Sequence, residues 1–482
     1  MEMTLTLWLL VGYLCLLPLL GLWGRAQEKE KTLKDYYLAG GMLGTLPLLF
    51  TLYATQFSGN TILGFAGSAY RNGPIILFTT FAMSVVVLMY FIYAKPLHAL
   101  AKTHGFLTIA DYFRHRYNSR ALVRLANTLL AVTLISYILT NFKAAGLLLE
   151  SVSGGEISAF WSIIGLAFVM AIYESLGGMR SVVLTDVLQG SLLLMGAVMV
   201  VYLAVSYFGG FAPLIAQLQT NPATGWQALD ARQWARGISI MLLFGFAICI
   251  YPHSVQRIYA AESWGKLKRS LSVLLFAPFF TTLPIVIAAL AATLIIPDLP
   301  RTQTEQVLPL LLAFFAQADP ALEILLALFM VAALAAIMST IDSALLSLGA
   351  TISHDVVRPY APHISQQQLT AISKVMAWVL MFAAAGLAII LPQTIWQLLV
   401  LKLEIMVQIT PALVIGLRLA RVQASSIIAG MLVGLAITIW FKYGIWGVPD
   451  LFNIHAGIWG LGANLATITA LHLCRSGHSK RI

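Results

Sequence analysis

Charge is scarce in this chain. Aspartate, glutamate, lysine and arginine make up 10% of its 482 residues, where a soluble domain carries about 25%. That scarcity excludes an ordinary soluble fold. Cysteine is nearly absent: Cys15, Cys249 and Cys474 are scattered, which argues against a disulfide framework and matches no metal-ligand spacing. Packing is their default role. Walker A, G-x-G-x-x-G, H-E-x-x-H and G-x-S-x-G sequences are all missing. Their absence argues against an ATP-driven pump and leaves no nucleophile, metal set or cofactor loop for an enzyme. No polar stretch is long enough to fold as a soluble catalytic or regulatory domain.

What remains is apolar. Hydrophobic residues make up 60% of the chain, and mean hydropathy is +0.87. A membrane span needs about 20 apolar residues. Thirteen candidates lie near 4–23, 44–69, 74–99, 121–149, 157–177, 181–208, 234–255, 271–296, 321–350, 368–391, 394–417, 423–441 and 453–474. The expected architecture is one all-α transmembrane domain over 1–482, embedded in a lipid bilayer.

The net charge of +10 could suggest nucleic acid, but its placement argues for a membrane. Clusters at Arg25/Lys29/Lys31/Lys34, Lys95 to Arg124, Arg180, Arg257 to Arg269, Arg358/Lys374, Arg418/Arg421 and Arg475/Lys480/Arg481 hold 22 of the 29 Lys and Arg. They fall on alternate loops, as the positive-inside rule requires. The expected topology has the N-terminus outside and the C-terminus in the cytoplasm of the cell (inner) membrane. The first span lacks a basic leader and a small-residue cleavage site, so it is expected to be retained.

The most informative polar interruption is Ser339-Thr340-Ile341-Asp342-Ser343. On a helix Ser339, Asp342 and Ser343 share a face. A carboxylate in hydrocarbon needs a cation, a proton or an ion pair. Neighbouring hydroxyls are hard oxygen donors suited to small cations. A second interruption, Gln56-Phe57-Ser58-Gly59-Asn60-Thr61, lies at mid-depth, where an unwound turn would free backbone carbonyls. A third, Tyr251-Pro252-His253-Ser254, lies five spans later, and proline removes a helical donor. Interrupted helices at corresponding places point to an inverted-repeat transporter. The repeats would cover 44–208 and 234–417, with one helix before them at 4–23 and two after at 423–474.

Three segments together resemble the sodium–solute symporter family, which includes bacterial proline permeases and sodium–galactose and sodium–sialic acid symporters. They are Asp35-Tyr36-Tyr37-Leu38-Ala39-Gly40 with Phe57 to Thr61, then Gly177-Gly178-Met179-Arg180 through Asp186 to Gln189, then Ala336 to Ser347. The resemblance implies a LeuT-type fold with two inverted five-helix repeats. It implies a sodium (Na+) site built from the carbonyls of Ala54, Phe57 and Ala336 and the hydroxyls of Ser339 and Thr340. A second sodium or proton site would correspond to Asp186, Asp342 and Ser343 beside Ser339. Two alternatives stand beside these: Ser339 and Thr340 bonding back to the preceding turn, and Asp186 pairing with Arg180. For Asp342 a second sodium, a proton and a pairing within the bundle all stay open.

The expected partner is a small-molecule solute, and one copy of the chain suffices to carry it. Solute candidates are Gln56, Ser58, Asn60, Thr61, Tyr137, Asn141, Lys143 and Tyr251. Lys143 suits a carboxylate, but snorkelling or pairing with Glu150 would equally explain it. Lys402 and Glu404, at i and i+2, cannot face one another. A structural polar cluster is the expected reading there, with a proton site at Glu404 as the alternative. A hydrogen-bonded role is expected of His253 ahead of a pH-sensitive one. The reading that follows is sodium-coupled import of an amino acid or other carboxylate. Its rivals are proton coupling through Asp342 and Asp186, and a transporter-like sensor working through a separate partner.

Overall fold

A computed structural model describes residues 5–26, 32–176, 178–221, 229–361, 363–443 and 450–478. Thr4, Lys29, Lys31, Gly177, Lys480 and Arg481 lie outside the described residues. The chain is nearly all helix. The first half contains α1 (Leu5–Ala26), α2 (Leu33–Leu38), α3 (Thr45–Gln56), α4 (Ala66–Asn72), α5 (Phe78–His104), α6 (Ile109–Tyr117), α7 (Arg120–Val152), α8 (Ala159–Leu176), α9 (Met179–Tyr207) and α10 (Phe211–Thr220). The second half contains α11 (Ala231–Ile248), α12 (Pro252–Ala260), α13 (Trp264–Leu274), α14 (Ala277–Phe280), α15 (Thr282–Ile295), α16 (Val307–Ala318), α17 (Glu323–Ala350), α18 (Arg358–Tyr360), α19 (Gln366–Ile390), α20 (Ile395–Met406), α21 (Thr410–Arg418), α22 (Ala424–Lys442) and α23 (Ala456–His478).

Among the described residues ten helices are long and apolar enough to cross a membrane, or eleven with the pair α11–α12, bent by 54°, counted as one span. Two further crossings escape a length test. Ala159–Ile172 is short, and the run Asn60–His104 contains the second half of one span and all of the next. With these two the described helices offer thirteen segments where thirteen spans are expected.

Side-chain caps start the helices where polar residues interrupt the apolar runs. Ser119 accepts from Leu122 at the start of α7, and Ser365/Gln368 and Thr394/Gln397 form capping boxes at α19 and α20. The centre of the bundle is α17, where every residue from Phe329 to Ala350 is buried. A helix that is apolar on nearly every face is a buried one. The hydroxyls and carboxylate of Ser339 to Ser343 therefore have only protein as surroundings. Against α17 pack α9, α7, α3 and α12.

The two ends of the bundle differ. One end is closed. Arg180 pairs with Asp35 at 2.7 Å, Lys102 donates to the Gly41 carbonyl at 2.6 Å, and Leu43 pairs its backbone with Ala260 and Glu262. Arg114 bridges Asp111 (2.6 Å) and Asp355 (3.1 Å), and His354 reaches Asp111 at 2.9 Å. Burial pushes the Asp111 carboxyl up. The hydrogen bond and charge of His354 and the N–H groups of Leu107 and Thr108 outweigh it and hold the group below the usual range. The other end opens into a cavity of about 1170 Å³, lined by Arg71, Ile76, Arg236, Gln393, Trp396 and Leu398 among others. Beside Trp396, the rings of Phe65, Phe244 and Trp396 form a triangle with centroids 5.8–6.0 Å apart.

Candidate ion and solute site between the broken helices

The first break lies between α3 and α4. Gln56 ends α3, and Phe57 turns extended at φ −104° and ψ 120°. Local side chains compete with the helix here. The Ser58 N–H, which a continuous helix would give to the Ala54 carbonyl, goes to Thr61 Oγ1 at 3.3 Å. The Thr61 N–H, due to the Phe57 carbonyl, goes to Ser58 O at 2.9 Å. Ser58 Oγ accepts from the Asn60 N–H, and Asn141 Oδ1 on α7 accepts from the Gly59 N–H, both at 3.2 Å. The helical donors of Ala54 and Phe57 are thus both withdrawn.

Gly59 presses this break against its neighbours. A Cβ there would lie 2.5 Å from Ile337 on α17, 3.0 Å from Ala144 and 3.1 Å from Asn141 Oδ1. The break therefore faces α17 one residue from Ala336. Gly59→Ala should destabilise the protein by about 1–3 kcal/mol through overpacking. Thermal unfolding checks this, and Ile337→Ala added to Gly59→Ala should restore part of the loss. A double variant no better than Gly59→Ala would refute the contact.

On α17, Thr340 donates to the Ala336 carbonyl at 2.9 Å, and Ser339 donates to Asp186 Oδ1 at 2.5 Å. Asp186 also accepts from Thr51 through Oδ2. Its charge partner is Arg257 on α12, with Nη2 at 3.6 Å. Arg257 is 0% exposed. It donates to Thr51 Oγ1 (3.1 Å), His253 O (3.1 Å) and Ser343 Oγ (2.6 Å). Two sequence expectations are corrected here. Arg180 serves Asp35, not Asp186. Arg257 belongs to the buried core, not to a loop cluster, because α12 turns that side chain back towards α9. Asp342 is fully buried on α17 and interacts electrostatically with Arg257.

The second break bends at Tyr251 before Pro252. There Tyr251 stacks on Tyr137 (centroids 5.0 Å, 13°) and on His253 (4.8 Å, 25°). Above the Tyr137 ring, 3.5 Å from its centroid, sits the ammonium of Lys402, which is 1% exposed. Glu404 turns away to Lys442 at 3.1 Å, with His455 3.7 Å from it.

The structure sorts the eight expected solute residues by what already engages them. Ser58 and Thr61 hold the break, and Asn141 joins it to the Tyr137 carbonyl at 2.8 Å. Tyr137 donates to Thr55 O at 3.3 Å and lies against the hydroxyls of Ser58 and Thr340. Lys143 donates to the carbonyls of Leu391 (2.7 Å) and Gln393 (2.5 Å), capping the end of α19 at the cavity rim. It is not brought to Tyr137 and Tyr251. Gln56 Oε1, both amide atoms of Asn60 and the Tyr251 hydroxyl are buried without a hydrogen-bond partner among the described residues, as are both ring nitrogens of His253 and the Lys402 ammonium. Sequence reasoning missed Thr51 and Arg257 as partners of Asp186. In the sequence Arg257 belongs to a basic cluster, and nothing in its spacing tells which way it points.

Two broken helices crossing a buried, hydroxyl-bearing central helix define a secondary transporter of the LeuT type. A solved sodium-coupled sialic acid symporter in a substrate-bound, outward-open state matches with a TM-score of 0.79 at 20% identity, covering 98% of each chain. The profile described as "Sodium:solute symporter family" matches residues 36–434, and the chain belongs to that family. It is 28% identical over 442 residues to the sodium/pantothenate symporter of Escherichia coli (strain K12), covering 88% of both chains. It is 25% identical over 467 residues to the uncharacterized symporter YodF of Bacillus subtilis (strain 168), covering 93% of this chain and 89% of that one. It is a multi-pass membrane transport protein, and its relatives are symporters, not enzymes.

Proposed function

We propose that this protein couples inward sodium movement to uptake of a small organic solute, an amino acid or other carboxylate, by alternating access. The observation that carries the reading is the withdrawal of the helical donors of Ala54 and Phe57 where the break presses on α17. Those carbonyls, that of Ala336 and the hydroxyls of Ser339 and Thr340 make a neutral oxygen cage, suited to a releasable monovalent ion. The inverted repeats run over 44–208 and 234–417. The cavity end faces outside, and the end closed by Asp35–Arg180 and Arg114–Asp111 faces the cytoplasm. Opening would break those ion pairs, of which only Arg114 is exposed. A charge crossing 100 mV supplies about 2.3 kcal/mol, enough to drive accumulation. That the E. coli relative is named for pantothenate and the structural neighbour for sialic acid, both acids, supports the carboxylate class.

Uptake into proteoliposomes tests the coupling. Replacing external sodium by choline should abolish accumulation, and a protonophore should leave it intact. Uptake indifferent to sodium but collapsed by the protonophore would transfer the coupling to a proton on Asp342 or Asp186.

A further inference from the structure

We propose that Lys402 is the receptor for the solute's carboxylate. The inference deepens the reading of this chain as a solute symporter and rests on it. An ammonium inside a membrane protein is costly, and it is retained where it meets a substrate, an ion path or a counter-ion. Lys402 is 1% exposed, and its Nζ has no hydrogen-bond partner among the described residues. Its contacts are the faces of Tyr137 at 3.5 Å and Tyr251 at 5.6 Å. A cation–π contact offsets part of the desolvation but uses none of the three N–H donors.

The neighbours lack partners too. Tyr251 OH and both ring nitrogens of His253 are buried and unbonded, and the Tyr251 and His253 rings stack with Tyr137. On the facing broken helix the Asn60 amide and Gln56 Oε1 are likewise unbonded. Native interiors satisfy nearly all buried polar atoms, so a concentration of exceptions calls for a missing ligand. The missing group must be anionic to neutralise Lys402 and must accept hydrogen bonds from its ammonium and from the Tyr251 hydroxyl. A carboxylate does both with its two oxygens. The parallel Tyr137 and Tyr251 rings offer an apolar flank for the carbon skeleton, and the Gln56 and Asn60 amides suit its hydroxyl, carbonyl or amine substituents.

Lys143 does not compete for this role. Two of its three N–H donors already go to carbonyls at the end of α19. Glu404, two residues from Lys402, belongs to the separate cluster with Lys442 and His455.

The test compares matched probes on the full chain in detergent, with sodium chloride or choline chloride present. The pairs are lactate and lactamide, L-proline and L-prolinamide, and pantothenate and panthenol. A ligand that binds the folded state raises its melting temperature. At least one acid should stabilise the protein, while its partner without the carboxylate does not. Lys402→Met should weaken that acid roughly 30-fold or more, the loss expected when one member of a buried charge pair is truncated. Lys402→Arg should lose less. Sodium added alone should stabilise Lys402→Met as it does the unmodified chain, which shows that the variant is folded and its ion site intact. Three results would overturn the assignment. They are equal stabilisation by the acid and its partner without the carboxylate, no stabilisation by any acid, and an acid affinity changed by less than about threefold in Lys402→Met. The acid–amide contrast is read on the unmodified chain, so it judges the proposal even if the variant fails to fold. If sodium alone stabilises neither protein, the sodium-symport reading fails, and the acid–amide contrast still judges Lys402.

Discussion

Asp186→Ala should cost about 3–5 kcal/mol of stability, the loss expected when a buried ion pair is broken on one side. The reason lies in what the substitution leaves behind. Arg257 is fully buried and gives its other donors to neutral oxygens of Thr51, His253 and Ser343. Without Asp186 its charge has lost the partner at 3.6 Å. Ser339 and Thr51 lose an acceptor as well. Arg257→Met should be nearly as damaging, because it strands the carboxylate. Pairing Asp186→Ala with Arg257→Met should cost less than the two single changes added together, since neither charge is left stranded. Thermal unfolding of the single and double variants measures the coupling. Additive losses would mean that Asp186 and Arg257 do not depend on one another. The same measurement separates the two roles open to Asp186. A carboxylate committed to Arg257 lowers the melting temperature equally with and without sodium when it is lost. A carboxylate that holds a second ion instead removes the sodium-dependent part of the stability.

The legible and illegible parts of this site divide along a physical line. Residue types fix what a segment tolerates, so the apolar runs, the fault at Ser58–Gly59 and the shared face of Ser339, Asp342 and Ser343 could all be read directly. The fault was legible because serine, glycine and asparagine each offer the backbone an alternative to the helix. Rotational setting is different. Lys143 and Lys402 both interrupt apolar spans, but only Lys143 reads as a candidate for a carboxylate, and Lys402 reads as part of a polar cluster. Only packing decides that Lys143 reaches the frayed end of α19 while Lys402 turns onto the Tyr137 ring. Sequence proximity misled for the same reason. Arg180 is near Asp186 along the chain, but it begins α9, where Asp35 of α2 lies within reach. Arg257 is far away in sequence, and the short helix after the second break swings it inward. Broken helices are where such re-aiming concentrates, because a bend of 54° rotates every following side chain.

Thr340→Val should raise the sodium concentration for half-maximal uptake by about tenfold, with the solute affinity at saturating sodium little changed. The Thr340 hydroxyl donates its one proton to the Ala336 carbonyl, and Ser339 donates to Asp186. Back-bonding of this kind is the alternative to ligation, but the two are compatible in chemistry. A hydroxyl has two lone pairs besides its proton. Once the proton is fixed on a neighbour, the lone pairs are turned elsewhere and stay free for a cation. The hydrogen bond thus orients the ligand and lowers the entropy lost on binding. Valine keeps the branched shape and removes the oxygen, so packing on α17 is preserved while the cage loses one donor. A polar contact of this type is worth about 1–2 kcal/mol, and 1.4 kcal/mol corresponds to tenfold. Ser339→Ala should also raise the sodium requirement, and it should lower stability as well, because it removes an acceptor-bound hydroxyl from Asp186. Sodium activation curves for the two variants, beside their melting temperatures, distinguish the cases. A Thr340→Val curve that superimposes on that of the unmodified chain would assign the hydroxyl to helix geometry alone and move the ion away from α17.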